Sequence, residues 1–147
     1  MNMNKNKKAK NIIDIVNIAM YQENIYAWID YQYLLEDEVK KLSKKIGIQL
    51  NVNKRVITTD DIKHAIDKHS QDDCPLEWSD FVLIDTITKY YDSVKKGGTT
   101  SHGLDTIIYE KIIGDKYFVV EEIRIGRKKL AFKTMYKHKT KKTKIKK

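Results

Sequence analysis

Cysteine, proline and arginine are the scarce residues of this 147-residue chain, present once, once and three times. The lone Cys74 excludes an internal disulfide, and no CxxC or Cys/His box offers zinc-ligand spacing. Pro75 is the one fixed break. No apolar run approaches the ~18 residues that a bilayer-spanning helix needs. A basic N-terminus leads the chain, but Asp14 and Asn17 interrupt what would be the apolar core of a signal segment, and no small-residue cleavage pattern follows. A cytoplasmic protein with no membrane contact is the expectation. Acidic residues are absent from the end of the chain: Ile123 to Lys147 carries twelve Lys or Arg and no Asp or Glu.

What is present follows from that last absence. Residues 1–122 hold 17 basic and 20 acidic side chains, so the formal charge of +9 is concentrated at one end of the chain. Much of that end, EIRIGRKKLAFKTMYKHK, is patterned as folded structure, which builds the charge into a surface. A surface of this kind concentrates polyanions and speeds their capture. The 41% apolar content and the chain length suit one domain with a real core. Lysine is so abundant that a single lysine says little, whereas an arginine is informative. Two of the three, Arg124 and Arg127, flank Gly126.

Periodicity supplies the elements. Residues 1–10 read as a disordered basic lead and 139–147 as a disordered basic tail. Between them, 11–54 read as a helical arm. Ile12–Ala19 is helix-compatible, and Ile25, Ile29, Leu34/Leu35, Val39, Leu42 and Ile46 recur at helical spacing up to a Gly47 cap. Its aromatic residues suggest that the arm packs on the domain or on a second copy, making a homodimer through 11–46 a candidate. Ile48–Leu50 and Arg55–Thr58 are short strand candidates. Two helices are expected at Asp61–His69, capped by Thr59 or Asp60, and at Asp80–Tyr91, capped by Ser79. Trp28 and Trp78 read as packing residues. Thr106–Ile113, a Gly114-Asp115 turn, Lys116–Arg124 and Lys128–Lys137 form a β-meander. The fold expected is α+β, two short helices on a small antiparallel meander behind a helical arm.

Two-residue turns would pair odd with even positions. One sheet face would then carry Ile108, Ile112, Tyr117, Val119, Ile123, Leu130 and Phe132, with Thr134, Tyr136 and His138 trailing off. The other would gather Tyr109, Phe118, Val120, Ala131 and Met135 around Lys111, Glu122, Arg124, Lys129 and Lys133. Cleaving RNA without a metal takes a base for the 2′-hydroxyl, cations for the phosphorane and an acid for the leaving oxygen. Glu122, Arg124 and Lys133 fit the first two roles, although the same face also reads as a solvated sheet with cross-strand ion pairs. His64 and His69 lie five apart, ~140° around a helix, so they do not share a face or form a zinc pair. His69 should point toward the sheet and His64 outward. No metal or cofactor is called for, and His102 reads as an ordinary loop residue.

The stretches ITTDDIKHAIDKH, PLEWSDFVLID and YFVVEEIRIGRKKLAFKTMYKHK resemble the phage-associated branch of the barnase–EndoU–colicin–RelE nucleases. The likeness covers about residues 55–139 and makes 55–138 a barnase/RelE-like nuclease domain. It implies a metal-independent endoribonuclease of phage or mobile-element type, a toxin or effector acting on RNA in a bacterial cytoplasm. An inhibitory or antitoxin protein would then be a second partner. The family's suspected site maps here to His64, His69, Arg124, Lys133, Thr134 and Tyr136, and Glu122 joins them on face geometry. Arg127, Lys128, Lys129, Lys137 and Lys139 would bind the nucleic-acid backbone. The alternative is an inactive nucleic-acid-binding or protein-interaction module on the same fold.

Overall fold

The protein is described here by a computed structural model covering residues 5–140. Seven strands form one sheet: β1 (Lys5–Lys8), β2 (Ile25–Tyr33), β3 (Lys54–Thr58), β4 (Ser93–Thr99), β5 (Asp105–Ile113), β6 (Asp115–Arg124) and β7 (Lys129–His138). Their spatial order is β1-β2-β3-β7-β6-β5-β4. β1 runs parallel to β2 and β3 parallel to β7, while every other neighbour is antiparallel. The helices are α1 (Ile12–Tyr21), α2 (Glu36–Ile46), α3 (Thr59–Lys68) and α4 (Ile84–Lys89), with a 3-10 segment at Trp78–Leu83. The α+β class holds, and the expected three-stranded meander is the centre of a larger mixed sheet.

The largest departure from the sequence reading is in the N-terminal arm. Residues 25–33 are a strand, because IYAWIDYQY alternates: Ala27 and Ile29 are buried while Tyr26 and Trp28 are open. Aromatic and β-branched residues favour such a half-buried pleated surface over a helix. The helix begins only at Glu36, where three acidic residues occupy its first turn and the Glu38 carboxylate accepts the Leu35 N–H at 2.9 Å. It ends, as expected, on Gly47 at φ 74°. Lys5–Lys8 is an edge strand beside β2, so residues 5–8 are not a disordered lead. Residues 1–4 and 141–147, the rest of the expected lead and most of the expected tail, lie outside the described residues. The arm packs on its own domain, with Ile15, Ile18, Ala27, Ile29, Leu42 and Ile46 all in the core.

Smaller corrections follow the same physics. Ile48–Leu50 is loop, and α3 is capped by Thr58, whose hydroxyl accepts the Asp61 N–H at 3.1 Å while Asp61 returns a bond to the Thr58 N–H. The expected helix Asp80–Tyr91 divides into the 3-10 segment and α4. Gly97 and Gly98 lie inside β4. A Cβ at Gly97 would come within 2.4 Å of the Thr106 hydroxyl, so the close strand approach there requires glycine.

One sheet face is covered by helices. Ile15, Ile18, Ile62, Phe81, Ile84 and Ile87 pack on Ala27, Ile29, Ile57, Ile107, Val119, Leu130, Phe132 and Met135. A charge is buried in this core: Arg55 and Glu121 are 2% and 0% exposed and form an ion pair at 3.1 Å. The guanidinium also donates to the Tyr109 hydroxyl at 3.1 Å, the Thr88 carbonyl at 3.3 Å and the Gln32 carbonyl, and Tyr31 donates to Glu121 at 3.3 Å. Burial works most strongly against the Arg55 charge, but Glu121, Tyr109 and Tyr31 together outweigh it and its pKa is raised. Burial and the same carboxylate push the Tyr31 and Tyr109 hydroxyls well above their ordinary value.

Candidate active site

Register determines which side chains share the other, open face. β5 and β6 close directly over Gly114, at φ 74°, with Ile113 opposite Asp115, so even positions pair with even. Tyr109 therefore belongs to the core and Ile108 to the open face, the reverse of the expected assignment. Between β6 and β7 the pairing passes from Val120–Thr134 to Glu121–Phe132, which leaves Lys133 as the extra residue of a bulge. The bulge switches parity along β7. Leu130 and Phe132 face the core as expected, yet so does Met135, while Thr134, Tyr136 and His138 join Phe118, Val120 and Glu122 on the open face.

This places His69, the C-cap residue just past α3, against Thr134 and Tyr136. The Nδ1 of His69 lies 2.7 Å from a carboxylate oxygen of Asp72, and its Nε2 lies 3.2 Å from the Thr134 hydroxyl. A carboxylate only accepts, so Nδ1 carries the proton and Nε2 presents its lone pair to the threonine hydroxyl. Tyr136 sits 5.4 Å from the imidazole, stacks on Phe118 at 4.8 Å, and both rings meet His138 edge-on. Partial burial and Glu110 raise the Tyr136 hydroxyl.

Beside this cluster runs a groove of about 390 Å³ lined by Asp60, Asp61, His64, Glu122, Arg124, Phe132 and Lys133. Glu122 accepts from the Arg124 side chain at 2.7 Å, as the i,i+2 spacing on one strand face allows. Asp61 has its carboxyl raised by burial, with the Thr58 hydrogen bonds and Arg124 opposing that rise. The two histidines serve different parts of the surface, as their helical spacing requires: His64 is exposed in the groove and His69 is at Thr134. Among the described residues no cluster of three or more His, Cys, Asp or Glu is arranged to hold a metal ion.

Arg127 and Lys128 are exposed in the β6–β7 turn, and Lys129 is half-buried beside them. Partial burial lowers the Lys129 pKa, and neighbouring Arg124, Arg127 and Lys54 lower it further. Lys139 is exposed just past β7. Lys137 departs from this group: it is 8% exposed, points to the helix-covered face and pairs with Asp80 at 2.9 Å. Sequence reasoning missed Asp72, which lies beyond the helix in SQDD, and the stacking partner role of Phe118. The SQDD carboxylates three residues past a helix-ending histidine were the available signal for the first.

A helix-backed sheet thus gathers imidazoles, carboxylates, cations and stacked rings on its open face within one small α+β domain. The chain belongs to the family described as phage-Barnase-EndoU-ColicinE5/D-RelE like nuclease3, whose model it matches over residues 35–145. No curated protein and no solved structure is significantly similar to it. No helix among the described residues is long and apolar enough to cross a membrane.

Proposed function

We propose that the protein is a metal-independent endoribonuclease that cleaves RNA by attack of a 2′-hydroxyl on the adjacent phosphate. The observation that carries this reading is the His69 imidazole, oriented by Asp72 on one side and offering Nε2 to Thr134 on the other. Held in this way, Nε2 accepts the 2′-hydroxyl proton as the 2′-oxygen bonds to phosphorus. The P–O5′ bond breaks, and His64, exposed in the adjoining groove, supplies a proton to the departing oxygen. Arg124 and Lys133 stabilise the charge on the phosphorane, with Glu122 holding the guanidinium in place. Thr134 and Tyr136 position the scissile unit, and Arg127, Lys128, Lys129 and Lys139 engage the flanking backbone. The products are a 2′,3′-cyclic phosphate and a free 5′-hydroxyl.

The reading makes the protein a toxin or effector of phage or mobile-element type, acting in the cytoplasm of a bacterial host. An inhibitory protein that covers the open face would neutralise it. The test is incubation of purified protein with total RNA in EDTA. Cleavage to cyclic-phosphate ends is expected, with a loss of about 10²–10⁴-fold in His69→Ala and a smaller loss in Asp72→Asn. Intact RNA, or unchanged cleavage by His69→Ala, would refute the mechanism.

A further inference from the structure

The N-terminal strands lie outside the family-matched residues 35–145, yet register makes them part of the same open face. Tyr33, Lys54, Lys129 and Arg124 are successive partners across β2, β3, β7 and β6, so they form one row on one face. Asp30, Val56, Ala131 and Glu122 form the neighbouring row, which runs into the groove. Two residues from Asp30, on the same side, stands Trp28, with Lys8 as its partner on β1. Tyr26 follows with Asn6. No core-forming helix covers these positions: Val56 and Ala131 are buried, yet they are not members of the helix-side core cluster.

Trp28 and Tyr26 are each 37% exposed and Tyr33 is 68% exposed. A strand held on both sides presents such rings rigidly, with their surfaces available to an aromatic ligand. Cations run beside them from the groove outward as Arg124, Lys129 and Lys54, and among the described residues only Lys54 has an acidic partner beyond the groove, Asp30 at 3.4 Å. Burial comes first in lowering the Lys129 pKa, and Arg124, Arg127 and Lys54 lower it further against the opposing effect of Asp30. Aromatic faces interleaved with lysines suit unstacked bases on a phosphate chain. A duplex, whose bases are already stacked, has nothing to offer Trp28.

We propose that β1 and β2 extend the open face into a stacking rail for single-stranded RNA, with bases on Trp28 and Tyr26 and phosphates on Arg124, Lys129 and Lys54. This rests on the ribonuclease reading for its substrate and adds to it the strandedness and the path of the chain leaving the groove. Recognition by stacking tolerates any base, so selectivity along the rail is for single strands over duplex rather than for sequence.

The test is a fluorescence-anisotropy titration of the full chain with a short single-stranded 2′-O-methyl oligonucleotide, which cannot undergo 2′-attack, and with its duplex. The single strand is expected to bind more tightly than the duplex. Trp28→Ala is expected to lose about tenfold in affinity, with most of it restored in Trp28→Phe. Lys129→Ala should reduce the slope of affinity against salt by about one. Equal binding of Trp28→Ala and the parent chain would overturn the rail, as would duplex binding as tight as that of the single strand. Trp28-dependent binding in a chain that cleaves no RNA would support the rail while refuting the ribonuclease mechanism, so the two failures are distinguishable.

Discussion

Arg55 and Glu121 carry the largest single-residue stake in this fold. Each is buried, and each has the other as its principal counter-charge. Removing one partner leaves an uncompensated charge in the core, at a cost of about 3–5 kcal/mol. Glu121→Ala is therefore expected to lower the melting temperature by roughly 10 °C or more. The double variant Arg55→Met/Glu121→Leu should recover most of that loss, because a buried ion pair is replaceable by packed apolar groups. Thermal unfolding of the three proteins checks this; equal destabilisation in the single and double variants would contradict it. Arg55 opens the strand candidate Arg55–Thr58, but nothing local to it in the sequence names Glu121 as its partner. Alternation along β6 puts Glu121 on the core face with Val119 and Ile123 and Glu122 on the opposite face. The single-glycine closure of the β5–β6 hairpin decides instead that Tyr109 joins Glu121 there.

Among the elements, the β7 bulge determines the composition of the site. Lys133 shifts the strand by one residue, and a shift of one residue exchanges the two faces. Deleting Lys133 removes the extra residue and leaves a regular ladder in which Thr134 still meets Val120 and Met135 still meets Val119, so both faces are expected to keep their side chains and Met135 its packing. Urea unfolding measures this, and a loss of about 2–5 kcal/mol, the cost of removing a buried methionine side chain, would show that the register depends on the bulge. A milder effect belongs to α3: Thr58→Ala removes its cap and should cost ~1 kcal/mol. The strand β2 was legible in its period-two alternation, but Ile25, Ile29 and Leu34 also fit a helical period. The conflict was resolved by strand pairing on both sides, which a linear pattern does not record.

For the molecule as a whole, residues 5–33 complete the sheet rather than hang from it. Ile15, Ile18, Ala27 and Ile29 are part of the one core, and without them β3 would be an exposed edge beneath uncovered apolar residues. A chain reduced to residues 35–147 is therefore expected to lose cooperative unfolding and to aggregate, although it keeps all of the family-matched segment. Circular-dichroism melts and gel filtration test this; a cooperative transition like that of the full chain would mean that the matched segment folds alone.

Local chemistry is carried by the sequence itself: charge gathered after Ile123, a helix stopped by Gly47, a strand pair turned by Gly114, and two histidines five apart that cannot share a helix face. These depend on side-chain size, charge and backbone freedom within a few residues, so they can be read from the chain. The tertiary structure decided the face of each β7 side chain, the burial of Arg55 with Glu121, and the meeting of His69, Asp72 and Thr134. Those outcomes depend on register and on contacts across more than sixty residues of sequence, between His69 and Thr134 above all. A one-residue bulge, invisible in composition or period, was enough to bring that pair to the same face.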